Sequence, residues 1–294
     1  MIPVSVIMTT RNEAANIERT LQAIAGFVDE IFVVDSDSTD GTVEIAARYA
    51  RVSNLTYKHG SIIPWIFQWA LDNLPIRNEW VLILEADQRP DAELKRALEA
   101  LFARPAIEEN GFYLRRKQVF RGKWIRFGGY GSKWMLKLFR KAHGELDPKE
   151  EDTRVYLRGR TAKLSGWLVE ENVKEERILF YLEKHLRYTE AFARDELERR
   201  STGVKWKLEP KLFGTPDERT LWLKTAYYQT PLYVRPWIYF LYRYFVLLGF
   251  LDGKEGFIFH FLQAFWFRLV IDIRLEELIR EREAGAGEQT SRTK

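Results

Sequence analysis

The chain contains no cysteine, only four histidines, and no phosphate-cradling glycine motif in its 294 residues. The first absence removes disulfides, thiolate nucleophiles and Cys-ligated zinc, and fits a reducing compartment. The histidines, at positions 59, 143, 185 and 260, lie too far apart for metal-ligand spacing. Neither GxGxxG after a strand nor GK[ST] occurs, which argues against a dinucleotide dehydrogenase and a P-loop enzyme. Single-sign charge is also missing: 46 basic and 42 acidic residues give a net +4, too weak a balance to imply nucleic acid. What the chain does have is aromatic surface, with ten Trp, thirteen Tyr and nineteen Phe.

The first hundred residues alternate between two periods. "PVSVIMTT" (3–10), "EIFVVD" (30–35), "NLTYK" (54–58) and "WVLILE" (80–85) are short apolar or β-branched runs, expected as strands. Ala14, Ile17, Leu21 and Ile24 fall at helical spacing, as do Val43, Ala46, Ala47 and Ala50, then a stretch around 65–74, then Leu94, Ala97, Leu98 and Leu101. Strand–helix alternation predicts an α/β fold, Rossmann-like, with a mainly parallel sheet covered on both faces. Ligands of such sheets sit beyond the carboxyl ends of the strands. Those ends carry "TTRNE" (9–13), "DSDSTDGT" (35–42), "KHGS" (58–61) and "EADQ" (85–88).

Asp35 closes an apolar strand, where a carboxylate needs hydrogen-bond donors or a cleft. Ser38, Thr39 and Asp40 are capping candidates, and Gly41 permits a tight turn. Glu85 and Asp87, spaced i, i+2, point the same way in an extended chain and suit Mg²⁺ or Mn²⁺ held against a diphosphate. As a bare pattern, acid-x-acid is also an ordinary polar turn. "DPKEEDTRV" (147–155) supplies acids suited to a general base, or simply a solvated charge run.

Beyond 111 the alternation lapses into "GFYLRRKQVF", "KWMLKLFR" and "TRVYLRG", expected as strands, then a helix from about 175 to 200. A Gly-, Pro- and charge-rich stretch at 201–220 reads as a boundary. The expected domains are 1–200 (catalytic), 201–280 (an aromatic-rich helical region) and a disordered tail, 281–294. In the helical region, apolar runs flanking "DGKEG" (252–256) fall short of the roughly 20 residues a membrane span needs. Interleaved Trp, Tyr, Phe and Arg suit a headgroup interface, so an interfacial helical hairpin is expected, with a purely soluble helical subdomain or dimer interface, and true spans, as alternatives. "MIPVSVIMTTRNE" lacks the basic region and apolar run of a signal peptide, so none is expected.

Several segments in series resemble the family 2 glycosyltransferases of the GT-A fold: "VSVIMTTRNEAANIERTL", "DEIFVVDSDSTDGTVEIA", "WALDNLPIRNEWVLILEADQRPDAEL" and "FRGKWIRFGGYGSKWMLKLFR". The nearest branch looks like bacterial enzymes of lipopolysaccharide core and exopolysaccharide assembly. The resemblance implies inverting transfer of a sugar from a nucleotide-sugar, most simply a UDP-sugar, to a hydroxyl of a glycan or lipid-linked acceptor. It implies that Thr9, Arg11, Asn12 and Glu13 help hold the nucleotide and that Asp35 contacts its base or ribose. It implies that Glu85, Ala86 and Asp87 form the diphosphate site with Mg²⁺ or Mn²⁺, and that Asp152, or its neighbours Glu151 and Glu150, deprotonates the acceptor. A peripheral location on the cytoplasmic face of the inner membrane is expected, with an oligomer through the C-terminal helices as one option. The sequence departs from the family where relatives read "LDADE" and often "DEH": here stand "LEADQ" and Asp152-Thr153-Arg154. Carboxylate charge is lost at both places. Asp87 is therefore the expected principal metal ligand, with Glu85 acting on the metal or ribose indirectly. A degenerate sugar-nucleotide-binding scaffold is the alternative from another class.

Overall fold

A computed structural model describes residues 1–56, 63–146, 153–202 and 207–292. The chain forms two compact units, Met1–Glu176 and Arg177–Lys294.

In the first unit, strands and helices follow in the order β1 (Ile2–Thr10), α1 (Ala14–Ile24), β2 (Val28–Asp35), α2 (Thr42–Ala46), β3 (Arg51–Asn54), α3 (Ile63–Asn73), β4 (Trp80–Glu85), β5 (Gln88–Pro90) and α4 (Ala92–Phe102). Then come β6 (Gly111–Phe120), β7 (Lys123–Trp124), β8 (Trp134–Arg140), β9 (Gly144–Leu146), β10 (Val155–Leu157), β11 (Thr161–Lys163) and β12 (Leu168–Glu171). The main sheet runs β3-β2-β1-β4-β8-β6-β12-β5, with β7 and β11 also paired to β6; β9 and β10 form a separate ribbon. The β3-β2-β1-β4 portion is parallel, whereas β8 is antiparallel to both β4 and β6, so the sheet is mixed.

The near-continuous apolar runs reflect burial on both faces. On one face Val4, Val6 and Met8 of β1 and Leu82 and Leu84 of β4 pack with Ile17 and Leu21 of α1 and Leu94 and Leu98 of α4. On the other, Ile7, Val81 and Ile83 pack with Phe67 and Leu71 of α3. The third strand occupies Arg51–Asn54, and of the expected 54–58 only Asn54 lies in it, with 57 and 58 outside the described residues. The short β5 had no separate sequence signal, because its three residues follow the acidic motif without an apolar run of their own. Its successor α4 is capped by Asp91, whose carboxylate accepts the Leu94 and Trp167 backbone N–H groups.

The second unit is helical: α5 (Ile178–Thr202), α6 (Pro216–Gln229), α7 (Arg235–Leu241), α8 (Gly253–His260) and α9 (Phe267–Arg292), with π-helical segments at Tyr242–Val246 and Phe261–Trp266. Thr215 and Glu218 form a capping box at the start of α6, with Pro216 in its first turn. Helix α5 lies in this unit, not in the first as the 1–200 expectation had it. The physical reason is packing: Ala193 and Leu197 of α5 meet Leu275 and Leu278 of α9. The tail expected to be disordered from 281 is continuous with α9 as far as Arg292. The helical run Gly249–Ala284 is also longer than the interrupted apolar runs suggested. It passes, by length and composition alone, the test for a membrane span, a test that core helices of soluble proteins also pass.

Arg235, 1% exposed, anchors this unit. Its guanidinium donates to both oxygens of Glu196 on α5 at 2.8 and 2.9 Å and to Asp272 on α9. The Tyr227 ring of α6 lies 4.8 Å from the guanidinium carbon, so one buried cation ties four helices. Arg235→Met strands two buried carboxylates and is expected to cost about 3–5 kcal/mol. Urea unfolding followed by circular dichroism measures the loss; a change under about 1 kcal/mol would mean that the cluster is already solvated.

Candidate nucleotide-sugar site

The register of β1 brings the acidic strand ends together. Thr10 pairs with Asp35 of β2, and Thr9 pairs with Val34 on one side and Glu85 of β4 on the other. Three strand termini therefore open onto one edge of the sheet, as the loop chemistry of the sequence implies.

The first two termini are bound to each other. Asp35 is 1% exposed, and its carboxylate accepts the Thr10 hydroxyl at 2.7 Å, the Ser38 N–H at 2.8 Å and the Ser38 hydroxyl at 2.6 Å. Asn12 takes a left-handed backbone (φ 55°), a conformation its short polar side chain tolerates. Its N–H donates to Ser38 Oγ at 2.7 Å, and its side-chain oxygen accepts the Thr39 N–H at 2.8 Å. The Glu13 N–H donates to Thr42 Oγ1 at 2.8 Å, and the Glu13 carboxylate pairs with Lys174 at 2.7 Å and accepts Asn16 at 2.7 Å. Burial opposes ionisation of Asp40, but hydrogen bonds from Thr42 and the Ala14 N–H outweigh it and hold this carboxyl below its usual range. Arg11 stands exposed beside these loops. Ser36 is 2% exposed, and its hydroxyl has no hydrogen-bond partner, leaving one buried donor at the floor of this edge.

The third terminus is clamped from beneath. Thr20 of α1 donates to the carbonyl of Ala86 at 2.7 Å, and the Asp87 carbonyl accepts the Glu171 N–H at 3.0 Å. Gln88 is fully buried. Its oxygen accepts the Glu85 N–H at 3.2 Å, while its amide nitrogen donates to Glu85 Oε1 at 3.2 Å and Glu170 Oε2 at 2.8 Å. A carboxylate at 88 has no proton to give two acids at neutral pH, so the neutral Gln accompanies Glu170 as a partner. Burial opposes the Glu170 charge, but Arg116, 3.1 Å away, and the Gln88 amide hold its pKa below the ordinary glutamate value. Lys137 of β8, only 2% exposed in its side chain, places its ammonium 3.2 Å from Glu85 Oε1. Glu85, its side chain 37% exposed, is thus paired with a buried cation through one oxygen.

Sequence reasoning passed over Lys137, Glu170, Thr20 and Lys174. Lys137 had a usable signal, a cation in the middle of the apolar strand "WMLKLFR". Thr20 lies on the helical part of the first quoted segment with no chemical signal of its own, and Glu170 and Lys174 lie outside every motif. The expected bases Asp152 and Glu151, with Glu150, lie outside the described residues, as does "KHGS" (58–61).

Among the described residues no cluster of three or more His, Cys, Asp or Glu side chains gathers to hold a metal. Divalent ions bound with nucleotide phosphates need only one or two protein carboxylates, and the donor set here fits that smaller demand. Asp87, partly exposed, and the second oxygen of Glu85 would hold Mg²⁺ or Mn²⁺, which would offset charge on a departing diphosphate. Lys137 competes for Glu85. Lys137→Met is therefore expected to tighten Mn²⁺ binding in the presence of UDP by about fivefold or more, read by electron paramagnetic resonance of free Mn²⁺. Unchanged affinity would show that Glu85 has no part in holding the ion.

The profile of "Glycosyl transferase family 2" matches residues 5–143. An uncharacterized glycosyltransferase of Rickettsia bellii (strain RML369-C) is 35% identical over 103 residues, 34% of this chain and 33% of that protein. Another, from Rickettsia felis (strain ATCC VR-1525 / URRWXCal2), is 36% identical over 107 residues, 35% of each. The chain spans about a third of the length of these curated relatives. The crystal structure of S. aureus TarS 1-349 is 15% identical, covers 95% of this chain and 91% of that one, and has a TM-score of 0.45. The likeness to glycosyl transferase family 2 falls on residues 5–143, the segment that carries the ends of β1, β2 and β4 and the Glu85–Gln88 clamp except Glu170 and Glu171.

Proposed function

We propose that the protein is an inverting glycosyltransferase that moves a sugar from a nucleoside-diphosphate sugar, most simply a UDP-sugar, to a hydroxyl of a glycan or lipid-linked acceptor. The observation that carries this reading is the register of β1, which sets the Asp35 loop and the Glu85-Ala86-Asp87 turn on one sheet edge within the family segment. Nucleotide recognition falls to Thr9, Arg11, Asn12, Glu13 and the Asp35 loop, and the diphosphate faces Asp87. In a single displacement, the acceptor oxygen forms a bond to the anomeric carbon as the bond from that carbon to the diphosphate oxygen breaks. The electron pair leaves with the nucleoside diphosphate, and the acceptor proton passes to a carboxylate, for which Asp152 and Glu151 are the candidates.

The second unit supports membrane association. Trp237, Ile238, Leu241, Phe245 and Val246 are each 46–67% exposed, a density of apolar surface that suits the headgroup boundary. Peripheral attachment to the cytoplasmic face of the inner membrane follows from this reading.

Isothermal titration tests the donor half. Wild-type protein is expected to bind UDP more tightly with Mn²⁺ than without it, and Asp87→Asn to lose most of that gain, about tenfold or more. Absence of UDP and GDP binding in either condition would overturn the assignment. Metal-independent binding equal in both proteins would remove the metal from it.

A further inference from the structure

Charge is distributed unevenly along the chain. Between Gly111 and His143 stand ten Lys and Arg and no Asp or Glu, whereas the remainder holds 36 basic and 42 acidic residues. Three of the ten cations are spent inside the fold, on Glu170, Glu85 and Glu79. Two of the others, Arg115 and Lys117, are joined by Lys163 from β11 and interleaved with tryptophans in one continuous row. Lys163 lies 4.9 Å from the Trp134 ring, and Arg115 lies 5.9 Å from that ring and 4.0 Å from Trp167. Trp167 packs edge-on to Trp124 at 5.0 Å, and Lys117 sits 4.9 Å from Trp124. Arg115, Lys117 and Lys163 meet no carboxylate among the described residues, and the indole N–H of Trp124 is buried with no acceptor.

The row lies near the donor edge. Lys117 pairs with Val169 of β12, and Val169 with Arg89 of β5, two residues after Asp87. Two strand spacings, roughly 10 Å, separate the two positions. Structural cation–π contacts alone need neither an acid-free segment nor uncompensated charge, and cations of one sign concentrate an anionic ligand.

We infer that this row is a binding site for an anionic saccharide, namely an acceptor bearing phosphate or carboxylate groups. Its acid groups meet Arg115, Lys117 and Lys163, and its apolar sugar faces lie on Trp124, Trp134 and Trp167. The inference rests on the transferase reading for the word acceptor, but its binding chemistry is tested separately.

Saturation-transfer NMR, with excess UDP and Mn²⁺ present to fill the donor edge, measures glucose 6-phosphate, glucuronate, glucose and inorganic phosphate against the full chain. At least one of the two acidic sugars is expected to bind about tenfold or more tighter than glucose and than phosphate. The double substitution Lys117→Ala and Lys163→Ala, both in solvent-accessible side chains, is expected to weaken that binding about fivefold or more and leave UDP affinity unchanged. Three results would overturn the inference: phosphate binding as tightly as the acidic sugars, the double variant binding like wild type, or anionic phospholipid vesicles bound through these lysines while acidic sugars are not. UDP binding without acidic-sugar binding defeats this inference alone; acidic-sugar binding without UDP binding defeats the transferase reading and leaves the site.

Discussion

Strand β1 is hydrogen-bonded on both sides, and its register is the constraint from which the site follows. Thr10 faces Asp35 and Thr9 faces Glu85, so a one-residue slip would separate the loop chemistry of β2 from that of β4. Such a slip would also turn Val4, Val6 and Met8 away from α1 and α4 and exchange them with residues of the opposite face. Core packing and site assembly are therefore enforced by the same alternation. The hydrogen bonds from Thr10 to Asp35 and from Thr20 to Ala86 then fix the termini that the register has brought together.

Around that frame, charge is allocated in layers. Asp35, Glu85 and Glu170 accept from protein donors, and Glu85 and Asp87 are both partly exposed at the edge. Glu85 stands where the resembling sequences are expected to carry aspartate, and its carboxylate accepts from the buried Lys137 ammonium. The substitution at 88 belongs to the same arrangement, because the Gln88 amide bridges Glu85 and Glu170 where another carboxylate would repel both. Loss of acidic residues at this motif is thus matched by an internal network.

The parallel strands and their covering helices were legible because burial on two faces leaves unbroken β-branched runs, and the helices repeat their apolar residues at the helical period. The family segment was legible for the same reason, since its motifs sit on those strand ends. The boundary at Glu176 was not: α5 is highly charged, and the face it packs on mixes Ala193 and Leu197 with Tyr181, His185, Thr189 and Glu196 rather than forming an apolar stripe. Nor was the clamp beneath Glu85 visible, because Gln88, Lys137 and Glu170 meet through pairing of β5 with β12 and packing of β8, contacts up to 82 residues apart in sequence. Local patterning does not encode such partners.

The central claim is that the edge formed by β1, β2 and β4 transfers a sugar from a nucleotide carrier. A nucleotide-release assay across a panel of UDP- and GDP-sugars, with acceptor glycans supplied, tests it most directly. The account expects at least one donor to release its nucleoside diphosphate in an acceptor-dependent manner, and expects Asp87→Ala to abolish that release. No acceptor-dependent release from any donor, or release undiminished by Asp87→Ala, would contradict it.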